Sequence, residues 1–273
     1  MVPVVELNNG VSMPRLGLGV YKIPDEEVTE AVLTAFEAGY RGVDTATLYG
    51  NERGVGTAVA KSGLPRRDVF VATKLWNTDH GRDAALRAFD RSLTELGLDY
   101  VDLYLIHWPV PRQDRYVETW RALTELVSDG RVRAVGVSNF QIEHLRRLID
   151  ETGVIPAVNQ IELHPWLQQP QLRAFHDEHG IVTQAWRPLG NGGERLRRSE
   201  VIRTVAHKHG KTPAQVVLRW HLEMGHTAIP KSANPQRIAE NIDIFDIEFD
   251  EQDIAGFATL ESGERLGPHP DDS

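Results

Sequence analysis

Asp44, Lys74 and His107 each sit at the end of a short apolar run, and they are the residue types a proton-transfer site uses. A fourth candidate, Tyr49, lies five residues after Asp44 in the loop "VDTATLYGNE" (43–52), just before a Gly-Asn turn. A phenol titrates near pKa ~10, so at neutral pH it is a proton donor, though a slow one. A neighbouring ammonium favours the phenolate and pulls that value down. Lysine at the edge of a dry interior is costly unless paired, and Asp44 is the partner at hand. Taken alone, such a pair serves charge neutralisation as well as it serves function. With Tyr49 beside it, a Tyr–Lys–Asp relay can protonate a developing alkoxide, while His107 donates to or accepts from the same oxygen and orients it. The competing reading of the loop is an aromatic anchor, with Leu48 packing and Gly50-Asn51 turning.

The elements around these residues repeat. Eight short, nearly all-apolar runs occur, at 16–21, 41–46, 69–74, 101–107, 133–138, 157–162, 181–185 and 227–230. Unbroken apolar runs of that length predict parallel strands buried on both faces. Between them lie amphipathic patterns that predict helices over 25–38, 84–96, 116–127, 142–149 and 213–222. Their start and stop signals are in place: Pro24 and an acidic first turn, Thr212 as N-cap with Pro213 at the first helical position, and Gly39, Gly97, Gly130 and Gly153 near the ends. Alternating β and α with no second unit predicts an α/β chain, a single (β/α)₈ TIM barrel spanning residues 1–273. Residues 4–14 read as a hairpin turning at Asn8-Asn9-Gly10 and capping the barrel bottom, and further helices are expected at the C-terminus. Barrel chemistry belongs at the C-terminal strand ends. Those ends carry Gly19–Tyr21, Asp44, Lys74, His107, Ser138-Asn139, Gln160–Glu162, Trp186 and Lys231.

Composition excludes several functions. With no cysteine there is no disulfide, thiolate nucleophile or zinc–thiolate site. A net charge of −9 argues against a nucleic-acid partner. The one basic cluster, "ERLRRSE" (194–200), is flanked by acids and reads as a solvated helix face. No apolar run reaches membrane-spanning length, and the N-terminus lacks the basic and apolar regions of a signal peptide, so cytoplasmic residence is expected. "GVSNF" (136–140) starts like a nucleophile elbow but lacks its second glycine. His176 and His179 read as a surface pair on a polar helix end, and no metal site is expected. There is no G-x-G-x-x-G fingerprint. In its place, "IPKSANPQRIAEN" (229–241) sets a helix N-terminus, capped by Asn234 and opened by Pro235, beside Lys231, Ser232 and Arg237. Those groups can converge on an anion, or the helix can simply close the barrel with its cations in solvent. Glu162 with Asp44 also reads as the carboxylate pair of a barrel glycosidase, although that leaves Lys74 and Arg237 without a task.

The segments "LGLGVYK" (16–22), "GYRGVDTATLYGNERGVG" (39–56), "VATKLW" (71–76), "VDLYLIHWP" (101–109), "GVSNF", "VNQIELHP" (158–165) and "IPKSANPQRIAEN" together resemble an aldo-keto reductase over essentially the whole chain. The Ile106–Pro109 run, "AWRPLGNG" (185–192) and the short loops are similar to the bacterial branch that includes 2,5-diketo-D-gluconate reductases. The resemblance implies an NADPH-dependent monomer that reduces aldehydes or ketones, sugar-derived dicarbonyls included. It implies a tetrad of Asp44, Tyr49, Lys74 and His107, with Tyr49 as general acid acidified by Lys74, and His107 positioning the carbonyl. It implies a carboxamide-binding trio of Ser138, Asn139 and Gln160, and a ring-stacking Trp186. Further implied cofactor contacts are Gly19, Val20, Leu189, Gly190, Ile229, Ala233, Glu240 and Asn241, with Lys231, Ser232 and Arg237 on the adenosine 2′-phosphate. Arg187 departs from the small residue usual at its place; it either adds a pyrophosphate contact or points to solvent. Tyr21, Trp76 and Trp108, with His107, are implied as the substrate wall, against the alternative of ordinary aromatic packing. A cofactor-binding barrel with a regulatory rather than a catalytic purpose is the remaining rival.

Overall fold

In the computed structural model, which describes residues 2–272, the chain begins as an antiparallel hairpin. Its strands β1 (Val4–Glu6) and β2 (Ser12–Pro14) pair Val5 with Met13. The parallel sheet follows, alternating with helices: β3 (Leu18–Gly19), α1 (Asp25–Glu37), β4 (Gly42–Asp44), α2 (Glu52–Lys61), β5 (Phe70–Leu75), α3 (Arg82–Leu96), β6 (Val101–Ile106) and α4 (Tyr116–Ser128). It continues through β7 (Val132–Ser138), α5 (Ile142–Thr152), β8 (Val158–Glu162), α6 (Pro170–His179) and β9 (Val182–Trp186). After α7 (Gly193–Arg198), α8 (Glu200–His209) and α9 (Pro213–Glu223) come β10 (Thr227–Ala228), α10 (Pro235–Ile242) and α11 (Glu251–Ala258). Each strand from β3 to β10 pairs in parallel with its sequence neighbour. The ring closes where Leu16 bridges Ala228 and Gly19 bridges Lys231. The structure is therefore the (β/α)₈ barrel expected from the alternation, with all eight strands found on the eight predicted runs.

The differences have local causes. The last strand is two residues long because Pro230 has no N–H to give, though its carbonyl still accepts from Gly19 N at 3.1 Å. Helix α2 was invisible in the pattern because Gly54 and Gly56 interrupt it. Packing demands both: a Cβ on Gly56 would stand 1.8 Å from the Leu96 carbonyl oxygen, and one on Gly54 would stand 2.3 Å from Val28 Cγ1. The expected caps are present. Asn234 Oδ1 accepts from Arg237 N at 3.0 Å, and Thr212 and Gln215 form a reciprocal capping box. Among the described residues no helix is long and apolar enough to cross a membrane.

The hairpin seals the barrel bottom. Leu7 and Met13 are buried there against Phe70, Ala72, Leu103, Leu105, Ala134 and Val158, which are inward-facing residues of the lower strands. Asn8 and Asn9 fasten the turn by donating to the Pro156 and Arg133 carbonyls, at 3.2 and 2.9 Å. With one end closed in this way, the open end is left for a ligand. Met13 is 1% exposed, so Met13→Ala should cost about 2–5 kcal/mol of stability by opening a cavity under the plug. A urea titration reads this, and a loss below ~1 kcal/mol would mean that the hairpin does not seal the barrel.

Candidate active site

The C-terminal strand ends surround one cleft of about 920 Å³. Asp44 comes from β4, His107 follows β6, Ser138 and Asn139 end β7, Gln160 is on β8 and Trp186 ends β9; all line the cleft. Lys74, near the end of β5, stands behind this wall and is fully buried.

Tyr49 is placed by the loop after β4. Thr47 to Tyr49 form one 3₁₀ turn, stopped by Gly50 in the left-handed region at φ 65°. Thr47 Oγ1 donates to the Lys74 carbonyl at 3.1 Å, pinning that turn to β5. Asn51 is fully buried and does more than turn the chain. Its Nδ2 donates to the carbonyls of Val20 (3.0 Å) and Ile23 (2.8 Å), and its Oδ1 accepts from Thr45 Oγ1 (2.7 Å). These bonds lock the Tyr49 loop to the loop after β3. Leu48, expected to pack, is instead 45% exposed and lines the cleft.

The Lys74 ammonium meets three acceptors: Asp44 Oδ1 at 2.5 Å, the Thr45 carbonyl at 2.8 Å and Tyr49 Oη at 3.5 Å. Burial pulls the Lys74 pKa below its ordinary value, opposed by Asp44 and Glu52. The net shift of Tyr49 runs opposite to the one a neighbouring ammonium alone would give: burial, then Asp44, then Tyr21 push the phenol well above its ordinary value. Tyr49 is thus held protonated at neutral pH. Burial, helped by Lys74, pushes His107 well below the ordinary imidazole value, so it is neutral. Its Nδ1 is buried without a partner, which leaves Nε2 as the nitrogen available to the cleft. The Tyr21 and Tyr49 rings are 5.0 Å apart, and Trp76 is 5.2 Å from His107.

The other half of the cleft is lined by amides, glycines and cations. Gln160 Nε2 donates to Asp44 Oδ2 (2.8 Å) and to Gln184 Oε1 (2.7 Å), so both of its hydrogens are used. Asn139, in the left-handed region at φ 64°, donates to the His107 carbonyl and to Ser138 Oγ, and accepts from Trp186 Nε1 at 2.8 Å. Ser138 Oγ donates to the Gln160 carbonyl at 2.8 Å. What remains on the trio is acceptor capacity. Gly19, Leu189, Gly190, Ile229, Lys231, Ser232, Arg237, Glu240 and Asn241 line this half, and Tyr21, Trp76 and Trp108 line the other. Val20 and Ala233 do not. Val20 is fully buried with its carbonyl taken by Asn51, and Ala233 is exposed on the turn before α10. Arg187, at φ 51°, holds its guanidinium 5.5 Å from the Trp186 ring and also lines the cleft. Arg197 lines it too, a residue that the sequence hid within a solvated basic cluster.

Among the described residues, Arg187, Arg197, Lys231 and Arg237 have no carboxylate partner, although Arg195 and Arg198 beside them are each bridged. Unpaired cations around amides and the capped N-terminus of α10 suit an anionic ligand carrying a carboxamide. The glycosidase pairing has no free acid. Asp44 is committed to Lys74 and Gln160, while both oxygens of Glu162 accept backbone N–H groups of Leu266 and Gly267. The surface reading of His176 is also corrected: it is fully buried, with Asn159 at 2.9 Å and Thr183 at 2.8 Å.

A model described as "Aldo/keto reductase family" matches residues 13–261. The chain belongs to the aldo/keto reductase family. It is 55% identical over 270 residues to an aldo-keto reductase of Mycolicibacterium smegmatis, covering 99% of this chain and 98% of that one. It is 52% identical over 268 residues to the methylglyoxal reductase DkgA of Escherichia coli strain K12, covering 98% and 97%. Among solved structures, a point mutant of Gox0644 in complex with NADPH superposes with a TM-score of 0.95 at 48% identity, covering 100% of this chain and 99% of that one. An aldo/keto reductase from Brucella melitensis superposes at 0.92 with 52% identity, covering 96% and 100%. As a family member this aldo/keto reductase is an oxidoreductase.

Within this reductase, Asn51 is the residue on which Tyr49's placement turns. Asn51→Ala leaves the Ile23 carbonyl and the Thr45 hydroxyl without that partner, and the Val20 carbonyl with Ile23 N alone. It should destabilise the fold by about 2–4 kcal/mol in urea titration. A loss under ~1 kcal/mol would show that the loop is held by other contacts.

Proposed function

We propose that this aldo/keto reductase, as a single barrel unit, reduces small aldehydes and ketones, dicarbonyls among them, to alcohols. NADPH is its cofactor and supplies the hydride when bound. One observation carries the reading of the reacting centre: the Tyr49 hydroxyl, protonated, stands 3.5 Å from a buried ammonium and lines the same cleft as the neutral His107.

The residues divide the work by chemistry. His107, with its proton on Nε2, donates to the substrate carbonyl oxygen and turns it toward Tyr49. As negative charge grows on that oxygen, it becomes a stronger base than a phenolate. Tyr49 then gives up its proton. Lys74 stabilises the phenolate left behind, because the ammonium is already in place and no solvent has to reorganise. That stabilisation offsets part of the burial cost of the phenolate, and the developing alkoxide is a stronger base than a phenolate, so a phenol of raised pKa still serves as the acid. Ser138, Asn139 and Gln160, left with acceptor capacity, fit the NH₂ of a nicotinamide carboxamide. The Trp186 ring supplies a stacking face, while Lys231, Ser232 and Arg237 with the α10 N-terminus fit the 2′-phosphate. Relatives named methylglyoxal reductase support small dicarbonyls as substrates. The aromatic end formed by Tyr21, Trp76 and Trp108 supports apolar groups beside the carbonyl.

Following NADPH absorbance with methylglyoxal and a panel of simple aldehydes tests this directly. Tyr49→Phe should lower kcat by about 10²–10⁴-fold while NADPH affinity, read by fluorescence titration, stays nearly unchanged. Retained turnover would remove Tyr49 as the acid.

The phosphate assignment has its own test. Arg237→Ala should weaken NADPH by about 10–100-fold, the loss of one charge-assisted contact, and leave NADH binding nearly untouched. Equal weakening of both cofactors would place the 2′-phosphate elsewhere.

A further inference from the structure

Glu162 ends β8 and is fully buried, but does not line the cleft. Its oxygens face the C-terminal tail. Oε1 accepts from Leu266 N at 2.8 Å, and Gly267 N donates to Oε1 and Oε2 at 3.2 and 3.0 Å. His164 Nε2 stands 3.4 Å from Oε1, and Arg265 Nη1 stands 3.7 Å from Oε2. A second link runs alongside: Gln169 Nε2 donates to the Glu162 carbonyl at 2.6 Å, and Gln169 Oε1 accepts from Arg265 at 3.3 Å.

This clasp brings Gly267 against the indole of Trp186. A Cβ there would stand 2.6 Å from Trp186 Cη2 and 3.1 Å from Glu162 Oε2, so a larger residue cannot take the place without displacement. Held so, Gly267 and Pro268 become part of the cleft wall. An ionised carboxylate is acceptor-only, which suits two adjacent backbone N–H groups; an amide would turn a donor toward one of them. The clasp is mounted on the end of a barrel strand, the rigid part of the molecule, so it fixes a segment that has no helix or strand of its own.

We propose that Glu162 is a positioning residue: it pins residues 265–268 over the cleft and, through Gly267, fixes Trp186 and the size of the carbonyl substrate admitted. The substrate part of this inference rests on the reductase reading; the structural part does not.

Glu162→Gln in the full-length protein tests both. Hydrogen exchange at the Leu266 and Gly267 amides, measured without any ligand, should accelerate by about tenfold or more. The KM for methylglyoxal should rise about tenfold while kcat changes less than about threefold, because ordering of the pocket is lost rather than the proton transfer. Unchanged exchange overturns the clasp. Faster exchange with unchanged KM overturns its effect on substrate. No turnover by the unaltered protein on any carbonyl is instead a failure of the reductase reading, and the exchange result still decides the clasp. If Glu162→Gln does not fold, Gly267→Ala decides from the tail side: with Glu162 intact, the added methyl should shift Trp186 fluorescence and raise the same KM. Unchanged fluorescence and KM would overturn the proposal.

Discussion

A fully buried ammonium must be given acceptors for its three hydrogens, and much of this site follows from how Lys74 obtains them. Asp44, the Thr45 carbonyl and Tyr49 take one each. Asp44 therefore cannot move, and its second oxygen fixes Gln160. Gln160 passes the constraint to Gln184, whose amide reaches Met13 Sδ at 3.8 Å. A column of polar contacts thus runs down the barrel axis, from the phenol at the mouth to the methionine that plugs the bottom. Removing one member leaves a buried charge or donor unpaired, which costs far more than the contact contributes when intact. The geometry around Tyr49 is in this sense a by-product of neutralising one lysine.

The same column explains what the sequence could and could not disclose. Asp44, Lys74 and His107 were legible because each terminates an apolar run, and strand ends converge in a parallel barrel. Asn234 and Thr212 were legible because capping is a local affair of three or four residues. Helix α2 was not, because its glycines answer to Leu96 and Val28 on other helices rather than to its own periodicity. Nor was the task of Asn51, whose partners Val20 and Ile23 lie on a different loop. Glu162 is the extreme case: its amide partners stand 104 and 105 residues further on, and a backbone N–H leaves no mark in the sequence at all. The direction of the Tyr49 shift failed for a related reason. Its largest cause is burial, and only the three-dimensional arrangement says how deeply the phenol lies.

Charge distribution adds an independent argument about the ligand. The chain carries nine more acids than bases, 39 Asp and Glu against 30 Lys and Arg. Carboxylates are therefore plentiful, and many cations elsewhere find them. Lys208 bridges Asp250 and Asp253, Lys211 bridges Asp243 and Asp246, and Arg147 bridges Asp114 and Glu151. Around the cleft, Arg187, Arg197, Lys231 and Arg237 gather in one place, and among the described residues none of them has an acid partner. Four like charges brought together repel one another, and pairing each with an acid would be the simple remedy. Their gathering without acid partners makes sense where a polyanion completes the arrangement, and a cofactor with a pyrophosphate and a 2′-phosphate is such a polyanion. A cleft with low-dielectric walls would focus that field and draw the anion in despite the negative surface around it. The end that holds Tyr49 and His107 has no such cluster; its wall is Tyr21, Trp76 and Trp108. The two ends thus differ in chemistry: one gathers unpaired cations, and the other is walled by aromatic rings.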